Sequence, residues 1–268
     1  MIPLLDNFIL KTTPEGVAII TLNRPNKANA INLPVLKEWL AAIQWAATTE
    51  EVKATVFTGN GRFFCGGLDL TSFASSEEIF LEENVHVSIE IFGKLVDALI
   101  DFPKPLIAAV NGNSVGFGVT FLPHCDLVYS VHNAVFYTPF VKIAICPEAC
   151  ATYLLPKCLG RSIANEMLLT CRQFTAHELA NVGFINRLVE NGSLLSEAIK
   201  RATSLAKLST GSITETKNLI RIDERDHLKK VSRREIELLT KNRMLSQEFL
   251  AITKEFAGNY DNSFSDTL

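Results

Sequence analysis

The sequence has no run of the roughly 18 uncharged apolar residues that a membrane-crossing helix requires, so no bilayer-spanning role is expected. It also lacks a long basic stretch. Its 26 lysines and arginines are outnumbered by 29 acids, for a net charge of −3, and nucleic acid is not an expected partner. There is no HExxH, no paired CxxC and no close group of cysteine and histidine. The five histidines, at 86, 124, 132, 177 and 227, are scattered, so no metal site is expected. No GxxxxGKS or GxxxxGKT phosphate loop is present. The opening MIPLLDNFILKTTPEG has neither a basic region leading into an apolar segment nor an Arg-rich amphipathic pattern. Neither a secretory leader nor a transit peptide is therefore expected. The six cysteines, at 65, 125, 146, 150, 158 and 171, sit in apolar runs, which reads as reduced, buried thiols in an intracellular protein.

What is present is a 268-residue chain, 47% hydrophobic, enough for one large domain or one domain with a helical appendage. GVAIITLNRP (16–25), ATVFTGNG (54–61), PLIAAVNG (105–112) and CDLVYSV (125–131) are β-branched or apolar runs stopped by turn residues, and read as strands. Asn32 can cap a helix with Pro34 in its first turn and Leu36, Trp39, Leu40 and Ile43 on one face. A long helix is expected from Ser76 to Asp101. Strands alternating with helices give an α/β core. Thr175 and Glu178 form a capping box closed by Gly183. Beyond a soft boundary near 192, residues 193 to 257 read as almost wholly helical, and GNYDNSFSDTL at the end lacks periodicity.

Two strands run into glycine-rich turns, GNGRFFCGGLDL and NGNSVGFGVTFL. Each is expected to place glycines just before a helix start, where free N–H groups point outward. Two such groups converging on one oxygen would make an oxyanion hole. Ordinary turns explain the same glycines, and both readings stand on pattern alone. A dinucleotide site does not fit, because Gly112, Gly116 and Gly118 are spaced GxxxGxG and Asp126 follows too closely.

Five stretches, LNRPNKANAIN (22–32), GRFFCGGLDL (61–70), KPLIAAVNGNSVGFG (104–118), CDLVYS (125–130) and LTCRQFTAHELANVGFINRLV (169–189), run in order over nearly the whole chain. Together they resemble the enoyl-CoA hydratase/isomerase superfamily, the crotonases. The resemblance implies an α/β spiral of ββα units over residues 1–192 and a helical trimerisation region over 193–268, assembled as a homotrimer or a dimer of trimers. It implies an acyl-CoA thioester as substrate, with coenzyme A part of that substrate and no separate cofactor. The thioester oxygen would be held by the N–H groups of Leu68 and Phe117. Lys27, Ala28 and Ala30, then Gly66, Gly67, Leu68, Asp69 and Leu70, then Gly116, take the substrate-binding places. For Asp69 and Asp126 the residues themselves point rather to bracing of loops. Arg62 reads as a solvated charge, and a nucleophile built from His124 and Cys125 lacks an orienting acid.

Hydratases of the superfamily carry two glutamates; Thr120 and Phe140 fill those places here, so water addition is not expected. Glu148, in AICPEAC (144–150), is the remaining acid. Read alone, it decorates the first turn of a helix after Pro147. However, TPFVKIAICPEACATYLLPKCLG (138–160) resembles peroxisomal-type enoyl-CoA isomerases, which place a catalytic glutamate there within SPEG. Cys146 and Ala149 replace the Ser and Gly of that motif. The implied reaction moves the double bond of a 3-enoyl-CoA to the 2-trans position in fatty acid oxidation. A thioesterase, a dienoyl-CoA isomerase and a non-catalytic acyl-CoA-binding module are the alternatives. The resemblance places the chain in a peroxisome or mitochondrion, although its last residues, Asp-Thr-Leu, are not Ser-Lys-Leu.

Overall fold

The computed structural model describes residues 2–74 and 78–263. Among the described residues, ten strands form two sheets. The larger contains β1 (Phe8–Thr12), β2 (Val17–Leu22), β3 (Ala54–Gly59), β5 (Leu106–Val110), β7 (Leu127–Val131) and β10 (Arg187–Val189), in the order β1-β2-β3-β5-β7-β10. The pair β1–β2 is antiparallel, with Phe8 opposite Leu22. The other neighbours are parallel. Every residue of β3 and of β5 is buried, as expected for central parallel strands covered on both faces. The smaller sheet is β4 (Phe63–Cys65), β6 (Asn113–Val115), β8 (Val135–Tyr137) and β9 (Phe174–Thr175). The chain thus passes from each long strand to a short one, β3 to β4, β5 to β6 and β7 to β8, and returns through helices. This is the expected spiral of ββα units.

The four strands read from the sequence are β2, β3, β5 and β7. The short strands of the second sheet were not legible, because two or three residues show no period of two. Helix α1 (Leu33–Thr48) begins as expected, with Val35 N–H donating to Asn32 Oδ1 at 3.2 Å. Its Trp39 stacks on Phe57 of β3 with ring centroids 4.6 Å apart. Phe117 and Phe121 meet the same indole edge-on at 5.0 and 5.3 Å. Four more helices precede the region after residue 160: α2 (Thr71–Ala74), α3 (Glu78–Ile100), α4 (Phe117–Thr120) and α5 (Ala151–Leu159). Residues 76 and 77, where α3 was expected to start, lie outside the described residues.

Then come α6 (Arg161–Thr170), α7 (Ala176–Asn181), α8 (Leu194–Ala206), α9 (Thr210–Leu238) and α10 (Gln247–Ser263). The capping box forms on α7 as predicted. The last helix continues to Ser263, past the onset of the expected aperiodic tail. Helix α8 packs on β2, β3, β5 and β7. Helix α9 is fastened to the strand ends by a charged knot. Lys217 Nζ donates to Lys104 O at 2.6 Å and to Asp126 Oδ2 at 2.7 Å. Arg221 Nη2 donates to Asp126 Oδ1 at 2.9 Å and to His124 O at 3.0 Å. Leu106 N–H donates to Asp126 Oδ2 at 2.7 Å. Asp126 therefore braces the strand ends against α9, as expected from the sequence. Burial lowers the Lys217 pKa to about 8, with the Asp126 charge opposing the fall. Lys217→Ala should cost about 2–3 kcal/mol, the range for a hydrogen bond to a charged group, read as a lower urea midpoint at unchanged slope.

Candidate active site

Strands β4 and β6 are parallel neighbours, Cys65 pairing with Ser114. The turns that leave them are therefore side by side. Gly67 has φ +76°, and a Cβ there would lie 3.0 Å from Val115 O and 3.6 Å from Gly116 N. Gly116 has φ +54°, and its Cβ would lie 3.6 Å from Gly67 Cα. The two main chains touch at these glycines, and no side chain separates them.

The amides beyond the glycines are aimed by two different devices. Phe117 is the first residue of α4, where an N–H has no intrahelical acceptor. Leu68 is not at a helix start, contrary to expectation; α2 begins only at Thr71. Instead Leu68 bridges to Ile31, whose N–H donates to Gly67 O at 2.7 Å and whose carbonyl accepts from Asp69 N–H at 2.9 Å. Amides alternate in direction along extended chain, so the Leu68 N–H points away from Ile31. Neither N–H has a backbone acceptor among the described residues. The Phe117 ring is locked against Trp39 and Phe92, at 5.0 and 5.1 Å, which leaves its backbone as the group on offer.

Glu148 lies before α5, not in its first turn; the N-cap is Cys150. It is buried, 7% exposed. Thr120 Oγ1–H donates to its Oε1 at 2.7 Å, while Oε2 has no protein partner among the described residues. Burial raises its pKa to about 8; the Thr120 bond opposes the rise, and the Glu235 charge adds to it. Such a carboxyl both takes and returns a proton near neutral pH. Thr120 stands three residues after Phe117, so one turn of α4 supplies an amide donor and also holds the acid. Phe140, at the other hydratase position, is buried, its ring 4.0 Å from the point a Cβ on Gly116 would occupy.

The turn after the acid is left-handed at Ala149, φ +55°, and Cys150, φ +62°. His124 Nε2 lies 2.9 Å from Ala149 O. A carbonyl only accepts, so this nitrogen carries the proton. Burial depresses the His124 pKa to about 4, which keeps the ring neutral. Its neighbour Cys125 turns elsewhere, donating from Sγ to Phe121 O at 3.8 Å, so the two do not form a nucleophile pair.

The remaining predicted positions are joined to this centre through Asn29. Its Nδ2 donates to Phe63 O at 2.7 Å and to Asn60 O at 3.0 Å, tying the segment containing Lys27, Ala28 and Ala30 to β4. A Cβ on Gly66 would sit 2.7 Å from Ala28 O. Lys27 and Arg62 are exposed and Leu70 is buried. The Asp69 carboxylate accepts from Thr71 Oγ1 at 2.6 Å and lies 3.5 Å from Arg24 Nη1, so its side chain braces the loop. Two residues at the centre were missed. Thr120 was read only as a lost glutamate, although its i+3 spacing from Phe117 was visible. Glu235 lies within the stretch that reads as helical, and nothing local marks it.

The sequence profile of the enoyl-CoA hydratase/isomerase family matches residues 12–253. A rat protein named enoyl-CoA delta isomerase 2 is 38% identical over 248 residues, 92% of this chain and 63% of its own length. The chain thus spans under two thirds of that relative. A mouse protein named peroxisomal enoyl-CoA delta isomerase 3 is 36% identical, over 92% of this chain and 77% of its own. Among solved structures, an enoyl-CoA hydratase/isomerase from Pseudoalteromonas atlantica superposes with a TM-score of 0.83 at 28% identity, covering 96% of this chain and 97% of that one.

Left-handed backbone costs a residue with a Cβ roughly 1–2 kcal/mol, and glycine escapes that cost. Ala149→Gly should therefore fold normally and hold or raise the melting temperature, with stability changed by no more than about 1 kcal/mol. A clear drop in melting temperature would show that the Ala149 methyl contributes more through packing than it costs in strain.

Proposed function

Since the chain belongs to the enoyl-CoA hydratase/isomerase family, we propose that it is an enoyl-CoA delta isomerase, moving the double bond of a 3-enoyl-CoA to the 2-trans position. The observation that carries this reading is Glu148: one buried carboxyl, one oxygen tied to Thr120 and the other unpartnered, with a pKa near 8. Glu148 removes a proton from C2. The C–H electron pair moves into the C1–C2 bond, and negative charge collects on the thioester oxygen of the resulting dienolate. The Leu68 and Phe117 N–H groups receive that charge; loss of one such donor typically costs roughly 3–4 kcal/mol. Glu148 then returns the proton to C4, and the double bond closes between C2 and C3. The acid and base are the same group because both carbons lie on one acyl chain.

Water addition is disfavoured on the same grounds. Thr120 and Phe140 leave Glu148 without a second carboxylate to orient a water. The nearby Glu235 is occupied by Cys150 and Thr152. We place residues 1–192 as the spiral core and 193–268 as the region that assembles a trimer or dimer of trimers. In support, α9 exposes Leu219 and Ile220 at 71% and 73%, apolar surface in want of a cover. The similarity to the mouse peroxisomal protein favours the peroxisome as compartment.

Glu148→Gln should lower turnover of a 3-enoyl-CoA at least about a hundredfold with little change in CoA-ester binding; a near-normal rate would sink the mechanism. The base must be ionised to act, so kcat/KM of the intact enzyme should climb as pH rises and level off above about 8. Light scattering at micromolar concentration should report a trimer or a hexamer, and a monomer would end the assembly proposal.

A further inference from the structure

The turn that follows Glu148 is held by a residue far along the chain. Glu235, on α9, is buried at 4% exposure. Its Oε2 accepts from Cys150 N–H at 2.7 Å. Its Oε1 accepts from Thr152 N–H at 3.0 Å and from Thr152 Oγ1–H at 2.6 Å. These backbone donors are the free amides that open α5. The N-cap residue, Cys150, is left-handed and makes no side-chain capping bond. A carboxylate from another helix takes over the capping, which is also where a helix dipole favours negative charge. The grip has a second point on the same face of α9, where Cys150 Sγ donates to Leu228 O at 3.2 Å. Left-handed residues persist only where their surroundings over-determine them, and Ala149 and Cys150 are such a pair.

We propose that Glu235 is a positioning residue for Glu148, fixing the direction of the acid through the Ala149–Cys150 turn. The negative charge of Glu235 also favours the protonated form of Glu148. The rate component of this inference rests on the isomerase reading; the linkage between the two carboxyls does not. The titratable neighbours of Glu148 leave Glu235 as the charge that counts. Cys65, from β4, has its thiol pushed up to about 12 by burial. The Cys146 and Cys150 thiols are raised by burial as well, and by Glu235. His124 is neutral above about pH 4. On the Glu235 side, Asp97 of α3 and Arg243 act on Cys150 and Cys146 respectively. Burial raises the Glu235 pKa, while its three donors oppose the rise.

The test compares the intact protein with Glu235→Gln and Glu235→Asp. Two readouts are taken: the pH profile of 3-enoyl-CoA turnover, and the infrared band of the protonated Glu148 carboxyl, assigned by its loss in Glu148→Gln. Glutamine removes the charge and turns one acceptor into a donor. The Glu148 midpoint and the rising limb should both move to lower pH, and plateau kcat should fall at least about tenfold with KM nearly unchanged, as expected for a displaced catalytic group. Aspartate keeps the charge but cannot span both amides, so plateau kcat should fall while the midpoint stays. A residue that only stabilises the fold would lower the melting temperature and leave the midpoint where it was. An unmoved midpoint in folded Glu235→Gln overturns the charge linkage, and a wild-type plateau in Glu235→Asp overturns the positioning. The second arm decides alone if the glutamine variant does not fold. A protein that isomerises nothing, yet whose infrared midpoint moves, would defeat the isomerase reading and leave the linkage standing.

Discussion

The backbone contact between Gly67 and Gly116 is the constraint on which the site depends. It exists because β4 and β6, each three residues long, are parallel neighbours, so their turns emerge together. Both glycines sit at positive φ, and a Cβ on Gly67 would press on Val115 O at 3.0 Å. The same contact sets Leu68 beside Phe117, with one N–H aimed by strand alternation and the other by a helix start. A side chain at that contact would separate the two donors before it blocked any ligand. The glycines are therefore required by the close approach of the two turns themselves.

Around that contact, charge is governed by the removal of water. Glu148 is buried near the Cys65, Cys146 and Cys150 thiols, and the cost of ionising it there outweighs the Thr120 hydrogen bond that favours the anion. The result is a carboxyl that titrates near 8. His124 illustrates the same effect with the opposite sign: burial disfavours its cation and holds it neutral, donating to Ala149 O. A neutral donor, His124, and a carboxylate acceptor, Glu235, both hold the turn after Glu148.

Much of the fold was legible where the signal is local and long. β3 and β5 are continuous apolar runs, α1 has its Asn32 cap, and α7 has its capping box. The second sheet was not, since its strands are too short for periodicity and are defined by partners 20 to 50 residues away. In the site, Gly66, Gly67 and Gly116 were visible as glycine-rich turns after strands, which ordinary turns explain equally well on pattern alone. Glu148 stood out only through the family resemblance, and the structure adds its burial and its raised pKa. Asp69 was assigned to substrate binding by motif, and its carboxylate is engaged by Thr71 and Arg24. Glu235 gave no sequence signal, because its partners are 83 and 85 residues away and only folding brings them together.

The reach of α9 also has a consequence in time. Cys150 and Thr152 find their acceptor only in a residue 85 and 83 positions later, and Asp126 finds its lysine and arginine 91 and 95 positions later. A nascent chain leaving the ribosome exposes both glycine turns and Glu148 long before residue 235 follows. Until then the turn beside the acid lacks the Glu235 carboxylate that holds its amides. The order of synthesis thus leaves the carboxyl and the residue that holds its turn unassembled until residue 235 has been made.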